Sequence, residues 1–492
     1  MRLMVAGGGG FRVPLIYRAL CTGPYAGLVD ECVLYDVDAQ RLEAIGSVLA
    51  SFRAQLPDSA QVPAVRTSTS LEVALAGADM VFAAIRPGGT AGRVRDERVA
   101  QGLGLLGQET TGAGGISYAL RSIPPMLELA EAMRRLCPGA WLVNFTNPAG
   151  MVTEALVPVL GPKVVGICDS AGGLAHRAAR AAGAALPDGV LAGVGYYGLN
   201  HLGWLYRLEA GGRDHLPELL ANPRALAGFE EGRLFSPELL AGLGCLPNEY
   251  LFYYYATEQA AAAMRSATET RGESIHRQQA GLYPRAAAGA EAYALWDAAR
   301  RSREEGYLAE ARPGGEQRDE EDLAGGGYER VALALMRALS GGPATELILN
   351  VPNTLPDAGS GGAAIPGLPG DAVVEVPCRV GADGVVPMAQ DRPAPAQLDL
   401  MRRVKEVERL VVRATTPGPG SGKGIPASND TGGAGGDGGP GASSGSARRE
   451  AALAAFARHP LVDSEELAAR LLAGYEAAFP RLHALWQDGA GS

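Results

Sequence analysis

The sequence predicts an α/β fold, with a parallel-sheet domain joined to a mixed α+β C-terminal region. Three observations predict it. Apolar strands alternate with helical stretches through about the first 170 residues, a glycine-rich turn follows the first strand, and from about residue 190 the strands lengthen and the alternation stops. Continuous apolar strands separated by helices imply a parallel sheet covered on both faces.

The elements follow in order. RLMVAG is a short apolar strand and PLIYRAL opens a helix. CVLYDVD is a second strand with an acidic end, and DAQRLEAIGSVLASFRA has the apolar spacing of a helix. ADMVFAAI and AWLVNFTNP are strands with IPPMLELAEAMRRL helical between them, and KVVGICD is another strand. In the second region LAGVGYYGLNHLGWLYRLEA gives longer strands, and EYLFYYYATEQAAAAMRSA is a helix carrying an aromatic cluster. ELILNVPNT and AVVEVPCRVGADGVVP are strands. The chain closes on helices in QLDLMRRVKEVERLVVRA, REAALAAFARHPLV and SEELAARLLAGYEAAF. Between the first two of these, residues 415–446 are rich in Gly, Pro and Ser, with almost no apolar content to offset the entropy of ordering, and are expected to be a disordered insertion. EARPGGEQRDEEDLAGGG, 310–327, is expected to be a solvated loop. The predicted division is 1–170 for the first domain, and 171–414 with 447–484 for the second.

Composition excludes several function classes. A net charge of −10 argues against nucleic-acid binding, which needs a basic face to displace phosphate counterions. No apolar run approaches the roughly 20 residues that span a bilayer. The six cysteines (Cys21, Cys32, Cys137, Cys168, Cys245 and Cys378) have no CxxC spacing or disulfide rhythm, which suits a reducing compartment. The N-terminus runs directly into a strand and turn, with no room for a signal peptide, so a cytoplasmic protein is expected.

The turn GGGGFRVP carries the first chemistry. Its glycines permit positive φ and let a pyrophosphate approach the amides at a helix N-terminus, making Gly7, Gly8, Gly9, Gly10 and Phe11 candidates for binding a dinucleotide on a Rossmann-like domain. The GxGxxG template is only partly met, since Arg12 stands at its third position. Asp36, at the end of the second strand, can take ribose hydroxyls and disfavours a 2′-phosphate, so NAD is expected rather than NADP. A glycine turn without ligand, and a strand-end aspartate, are the plain alternatives. Cys168 in GICDSAGG and His201 in GLNHLGW are, taken singly, as well explained by a buried thiol and a core or loop histidine.

Together the blocks GGGGFRVP, IRPGGTAGRVRDER, GLLGQETTGAGGISYALRSIP, NFTNPAGMVTEA, GICD, GLNHLGW and NEYLFYYY, in this order, resemble glycoside hydrolase family 4, the NAD- and divalent-metal-dependent glycosidases. The resemblance covers most of residues 1–400, and IPGLPGDAVVEVPCRV is most similar to the 6-phospho-β-glucosidase branch. It implies a lactate/malate dehydrogenase-like arrangement of the two domains. It also implies hydrolysis of 6-phospho-β-glucosides to glucose 6-phosphate and aglycone. The steps would be NAD-dependent oxidation at C3, deprotonation at C2, elimination, addition of water and re-reduction, outside the usual scheme of two carboxylates. By the same resemblance Cys168 and His201 are metal ligands, for Mn²⁺, and Tyr250 is the base, with Tyr253, Tyr254 and Tyr255 as rivals. Arg93 and Arg271 face the sugar phosphate and Asn147 the sugar hydroxyls. Glu109 either supports the site or is a buried structural carboxylate.

Departures from the family pattern are also legible. Gly10 and Val13 replace a usual serine and threonine, removing hydroxyls near the phosphates. Asp169, a possible general acid, stands where β-specific members often carry asparagine and is associated with α-type members. The expected substrate is a phosphorylated disaccharide or aryl glucoside phosphate, the expected assembly a homodimer or homotetramer. The alternatives are a 6-phospho-α-glucosidase, an α-galactosidase or α-glucosidase of the same family, and an NAD-dependent hydroxy-acid dehydrogenase.

Overall fold

The structure, a computed structural model, describes residues 1–289, 291–306, 327–356, 362–416 and 444–487. Strands β1 (Arg2–Ala6), β2 (Glu31–Tyr35), β3 (Ala64–Ser68), β4 (Met80–Ala83), β5 (Trp141–Asn144) and β6 (Val164–Gly166) pair in parallel in the order β3-β2-β1-β4-β5-β6. Helices α1 (Val13–Cys21), α2 (Ala39–Arg53), α3 (Leu71–Leu75), α4 (Gly89–Gly102), α5 (Gly112–Leu136), α6 (Ala149–Leu160) and α7 (Ser170–Ala181) lie between or after them. This is the doubly wound order, whose crevice opens at the carboxyl ends of the strands where β1 and β4 diverge.

The sheet does not stop at β6. It continues through β7 (Val194–Leu199), β8 (Leu202–Ala210), β9 (Arg213–Asp214), β10 (Leu246–Pro247), β11 (Thr345–Pro352), β12 (Val373–Gly381) and β13 (Gly384–Pro387), all antiparallel. The described strands thus form one mixed sheet of thirteen. One row of register partners crosses most of it, running Ser68, Tyr35, Ala6, Ala83, Asn144, Gly166, Asn350, Glu375, Gly198, Gly203. β11 meets β6 only at Asn350–Gly166, and β12 meets β7 only at Glu375–Gly198. At that narrow junction Glu375 is buried and accepts hydrogen bonds from Tyr196 Oη (2.9 Å) and Asn350 Nδ2 (3.1 Å).

Several elements differ from the sequence expectation. α5 begins at Gly112 rather than near Ile123, because Gly114 and Gly115 turn tightly against the Gln108 and Thr110 carbonyls, where a Cβ would collide. The aromatic stretch is not one helix: it is a 3₁₀ turn, Glu249–Leu251, and two helices, Phe252–Tyr255 and Thr257–Ser266, broken at Ala256 (φ −129°, ψ 40°). The predicted insertion is narrower than 415–446. Thr415 ends the helix Pro395–Thr415, and Ser444 already begins the helix Ser444–Arg458. Residues 417–443, and most of the loop expected at 310–327, lie outside the described residues.

The helix Pro395–Thr415 is tied to the sheet through Lys405. Its Nζ donates to Glu154 Oε2 on α6 and to the Val373 carbonyl on β12, both at 2.7 Å, and pairs with Glu408. Lys405→Met leaves buried Glu408 without its paired cation and Glu154 with Arg409 alone, and is expected to cost about 3–5 kcal/mol. A large fall in the urea midpoint at unchanged slope is the measurement that checks it.

Candidate functional site

A cavity of about 2210 Å³ opens over the carboxyl ends of the parallel strands and the β7–β8 turn. The functional candidates reach it from residues just beyond the row of register partners. Gly7 follows β1, Asp36 follows β2, Asn147 and Cys168 follow β5 and β6, and His201 sits in the turn after β7.

The glycine turn is shaped by close approach. Gly7 has φ +87°, and a Cβ there would stand 2.7 Å from the Ala84 carbonyl oxygen after β4. Gly7, Gly10, Phe11 and Asp36 line the cavity. Gly8 and Gly9 do not. A Cβ on either would strike the Leu34 or Arg41 Cβ at 2.6 Å, so these two glycines serve the packing of the turn on β2 and α2. Asp36 Oδ2 accepts from Gly9 N (3.0 Å) and Oδ1 from Asp38 N (3.1 Å), which holds the carboxylate at the turn. A passage that only glycine leaves open, ending at α1, with a carboxylate one strand away, fits a dinucleotide.

Cys168 and His201 meet inside the cavity wall. Both are buried, and Cys168 Sγ lies 3.6 Å from His201 Nε2. His201 closes the two-residue turn between β7 and β8 with φ +63°, a conformation that imidazole side chains adopt at a cost. Burial pushes the imidazole down to about 3 against the pull of Glu109, so it is neutral at neutral pH with a lone pair to give. Burial, with the Asp169 and Glu375 carboxylates, raises the Cys168 thiol well above its usual range, so the thiolate needs a cation beside it. His201 Nδ1 and Asn147 Oδ1 are buried with no hydrogen-bond partner among the described residues.

A separation of 3.6 Å suits two donors on one ion, since metal–sulfur and metal–nitrogen bonds of roughly 2.3 and 2.1 Å place such donors a little over 3 Å apart. Among the described residues no set of three or more His, Cys, Asp and Glu side chains gathers as a complete metal site. A thiolate and an imidazole with open positions therefore fit a catalytic ion better than a structural one.

Tyr250 lies flat on His201, ring centroids 3.7 Å apart and planes 9° from parallel. Tyr250 and Tyr253 line the cavity; Tyr254 and Tyr255 do not. Tyr255 Oη instead accepts from Trp204 Nε1 (3.0 Å), and Tyr254 packs toward His459. Just before Tyr250, Glu249 accepts a hydrogen bond from Ser170 Oγ (2.6 Å), joining the tyrosine turn to the start of α7 beside Asp169. Asp169 lines the cavity next to Cys168.

Arg93 and Arg271 both line the cavity, and both also have partners within the chain. Arg93 is buried and already held, by Glu97 Oε1 (2.7 Å) and Glu109 Oε1 (2.6 Å), and Arg86 pairs with the other Glu109 oxygen. Burial works against the Glu109 charge, yet Arg86 and Arg93 hold its carboxyl at about 2. Glu109 is thus the anion that keeps two cavity arginines in place. Arg271 donates to the carbonyls of Gly306 and Arg303, the latter at 3.2 Å. Arg86 and Arg303 also line the cavity; Arg86 lies in the block IRPGGTAGRVRDER but is not a sequence candidate there, and Arg303 lies in none of the blocks.

Comparison with known proteins gives the family and the fold. The profile of the family 4 glycosyl hydrolases matches residues 2–184, and that of the family 4 glycosyl hydrolase C-terminal domain matches 196–419. A probable 6-phospho-β-glucosidase of Bacillus subtilis is 29% identical over 395 residues, 78% of this chain and 82% of that protein. A 6-phospho-α-glucosidase of Leptotrichia buccalis is 29% identical over 436 residues, 85% and 90% of the two chains. The solved 6-phospho-β-glucosidase of Thermotoga maritima, with NAD and glucose 6-phosphate, superposes with a TM-score of 0.74 at 25% identity, covering 98% of this chain and 99% of its own. Among the described residues no helix is long and apolar enough to cross a membrane. With its nucleotide-type sheet, its Cys168–His201 pair and two profile matches that span most of its length, the chain belongs to family 4 of the glycosyl hydrolases.

Proposed function

We propose that this protein hydrolyses 6-phospho-β-glucosides, using NAD⁺ and a divalent ion, Mn²⁺, bound in the one cavity. The observation that carries the reading is the Cys168 Sγ–His201 Nε2 pair at 3.6 Å with Tyr250 stacked on the imidazole, in the cavity that also takes in the glycine turn. The Thermotoga maritima relative, solved with NAD and glucose 6-phosphate, supports the cofactor and the sugar phosphate.

When bound, NAD⁺ supplies the acceptor and later the donor of the C3 hydride, and the ion polarises the neighbouring sugar oxygens. Cys168 and His201 hold the ion. Asn147 Oδ1, buried without a partner among the described residues, accepts from a sugar hydroxyl. Tyr250 Oη removes the C2 proton. A phenol with an ordinary pKa of about 10 does this at neutral pH only beside positive charge, which an ion on His201 provides. Asp169 passes a proton to the leaving oxygen. Arg271 lends a cation to the phosphate side, and Arg93, already paired with two glutamates, lends less.

A 6-phospho-α-glucosidase is the second reading, favoured by Asp169 directly after the metal thiol and by the Leptotrichia buccalis relative. The test is a panel of nitrophenyl α- and β-glucosides, with and without a 6-phosphate, assayed with NAD⁺, Mn²⁺ and a reductant. Turnover is expected on the phosphorylated β-glucoside. Turnover of the α-anomer alone overturns the anomeric assignment, and net NADH accumulation without glycoside cleavage overturns the hydrolase reading.

A further inference from the structure

Arg303 is a cavity cation with no ion pair of its own among the described residues, although it feels the charge of Glu109, which Arg86 and Arg93 already hold. It lies in the last turn of the helix Ala292–Glu305, and its guanidinium carbon stands 5.2 Å from the centre of the Phe11 ring in the glycine turn. Its Nε is buried and has no hydrogen-bond partner among the described residues. The neighbouring arginines differ: Arg86 and Arg93 share Glu109, Arg12 has Glu304 at 3.9 Å, and Arg271 spends donors on two carbonyls, one of them Arg303's own.

A half-buried cation among like charges is a costly arrangement unless an anion completes it. Burial, together with Arg12, Arg271, Arg93 and Arg86, drives Arg303 well below the ordinary arginine range. Glu97 and Glu109 are already hydrogen-bonded to Arg93, and Glu109 also pairs with Arg86, so neither carboxylate is left to pair with Arg303. A phosphoryl group is the ligand chemistry that matches, because its oxygens accept in the plane of a guanidinium fork and carry the missing charge.

We propose that Arg303 binds phosphoryl oxygens of the bound ligands, as a recognition residue additional to Arg93 and Arg271, at the boundary between the glycine turn and the sugar-phosphate side. This rests on the proposed phosphoglucosidase reading for its sugar-phosphate source. The second source of the same chemistry is the pyrophosphate of the dinucleotide, since Phe11 of the glycine turn lies against the Arg303 guanidinium. In either case the phosphoryl charge offsets the mutual repulsion of the clustered arginines.

The test is calorimetric binding of glucose 6-phosphate, glucose and NAD⁺ to the full-length wild type, Arg303→Gln and Arg303→Lys, with melting temperatures taken with and without each ligand. Loss of one charge-assisted contact is expected to weaken glucose 6-phosphate about 10- to 100-fold in Arg303→Gln, with NAD⁺ unchanged. Arg303→Lys should recover part of that loss. Unliganded Arg303→Gln should melt no lower than wild type, because a repelled charge has been removed; a merely structural arginine would lower it. Weakened NAD⁺ with unchanged glucose 6-phosphate assigns the contact to the pyrophosphate. Unchanged affinity for both, or a destabilised unliganded variant with unchanged affinities, overturns the proposal. A wild type that binds no glucose 6-phosphate overturns the phosphoglucosidase reading instead, and the NAD⁺ titration then decides Arg303 alone.

Discussion

Turnover in D₂O is expected to yield sugar phosphate carrying deuterium at C2, and Tyr250→Phe is expected to abolish both turnover and that exchange. Elimination requires the C2–H bond to break and re-form with a solvent proton, whereas displacement at C1 leaves C2 untouched. Phenylalanine keeps the ring that lies 3.7 Å from the His201 ring, so the wall of the cavity stays in place and only the hydroxyl is lost. General-base removal costs on the order of 10²–10⁴ in rate. NAD⁺ affinity should be unchanged, and no net NADH should accumulate in the wild type because the hydride returns to C3. NMR of the product reads the label. Retained activity in Tyr250→Phe with loss in Tyr253→Phe transfers the role to the other cavity tyrosine, and an unlabelled C2 in wild-type product rules out elimination.

Cys168→Ser is expected to lower turnover by about 10²–10⁴-fold, the several kcal/mol that a Lewis-acid ion contributes. The hydroxyl fits the space of the thiol, so the melting temperature of the unliganded chain should hardly move. Its affinity for Mn²⁺, read by electron paramagnetic resonance of the free ion, should fall with the activity. Chelation should silence the wild type and Mn²⁺ restore it, provided the thiol is kept reduced. A serine variant with full activity, or wild-type turnover in metal-free buffer, rules out the assignment of Cys168.

The parallel half of the fold is legible in the sequence because apolar strands, helical spacing and a glycine turn are local signals. The junction is not. Asn350 and Glu375 are partners on β11 and β12, and each joins a strand far away in sequence by a single residue pair. No window of sequence contains that. Cys168 and His201 stand out only through the order of the motif blocks, since 33 residues separate them and either alone is an ordinary buried side chain. Their meeting depends on a two-residue turn at Asn200–His201 that the strand pattern hides. The fate of Arg93 is likewise invisible locally: Glu109, 16 residues on, competes for it. Arg303 is hidden for a different reason: what marks it is a buried Nε with no hydrogen-bond partner among the described residues.

The row of register partners that runs from Ser68 to Gly203 has a consequence for which changes in length the chain tolerates. It acts as a datum line. Gly7 and Asp36 lie one residue past it, Cys168 two, and Asn147 and His201 three. Those offsets set the reach of each functional group, so a single inserted residue between the line and any one of them displaces that group alone by about 3.3 Å, more than a hydrogen bond or a metal bond can absorb. The same insertion in a connection at the opposite ends of the strands leaves every offset intact. Homologous chains should therefore vary in length along the amino-terminal edge of the parallel strands and keep fixed counts along the carboxyl edge, and an engineered loop graft should follow the same boundary.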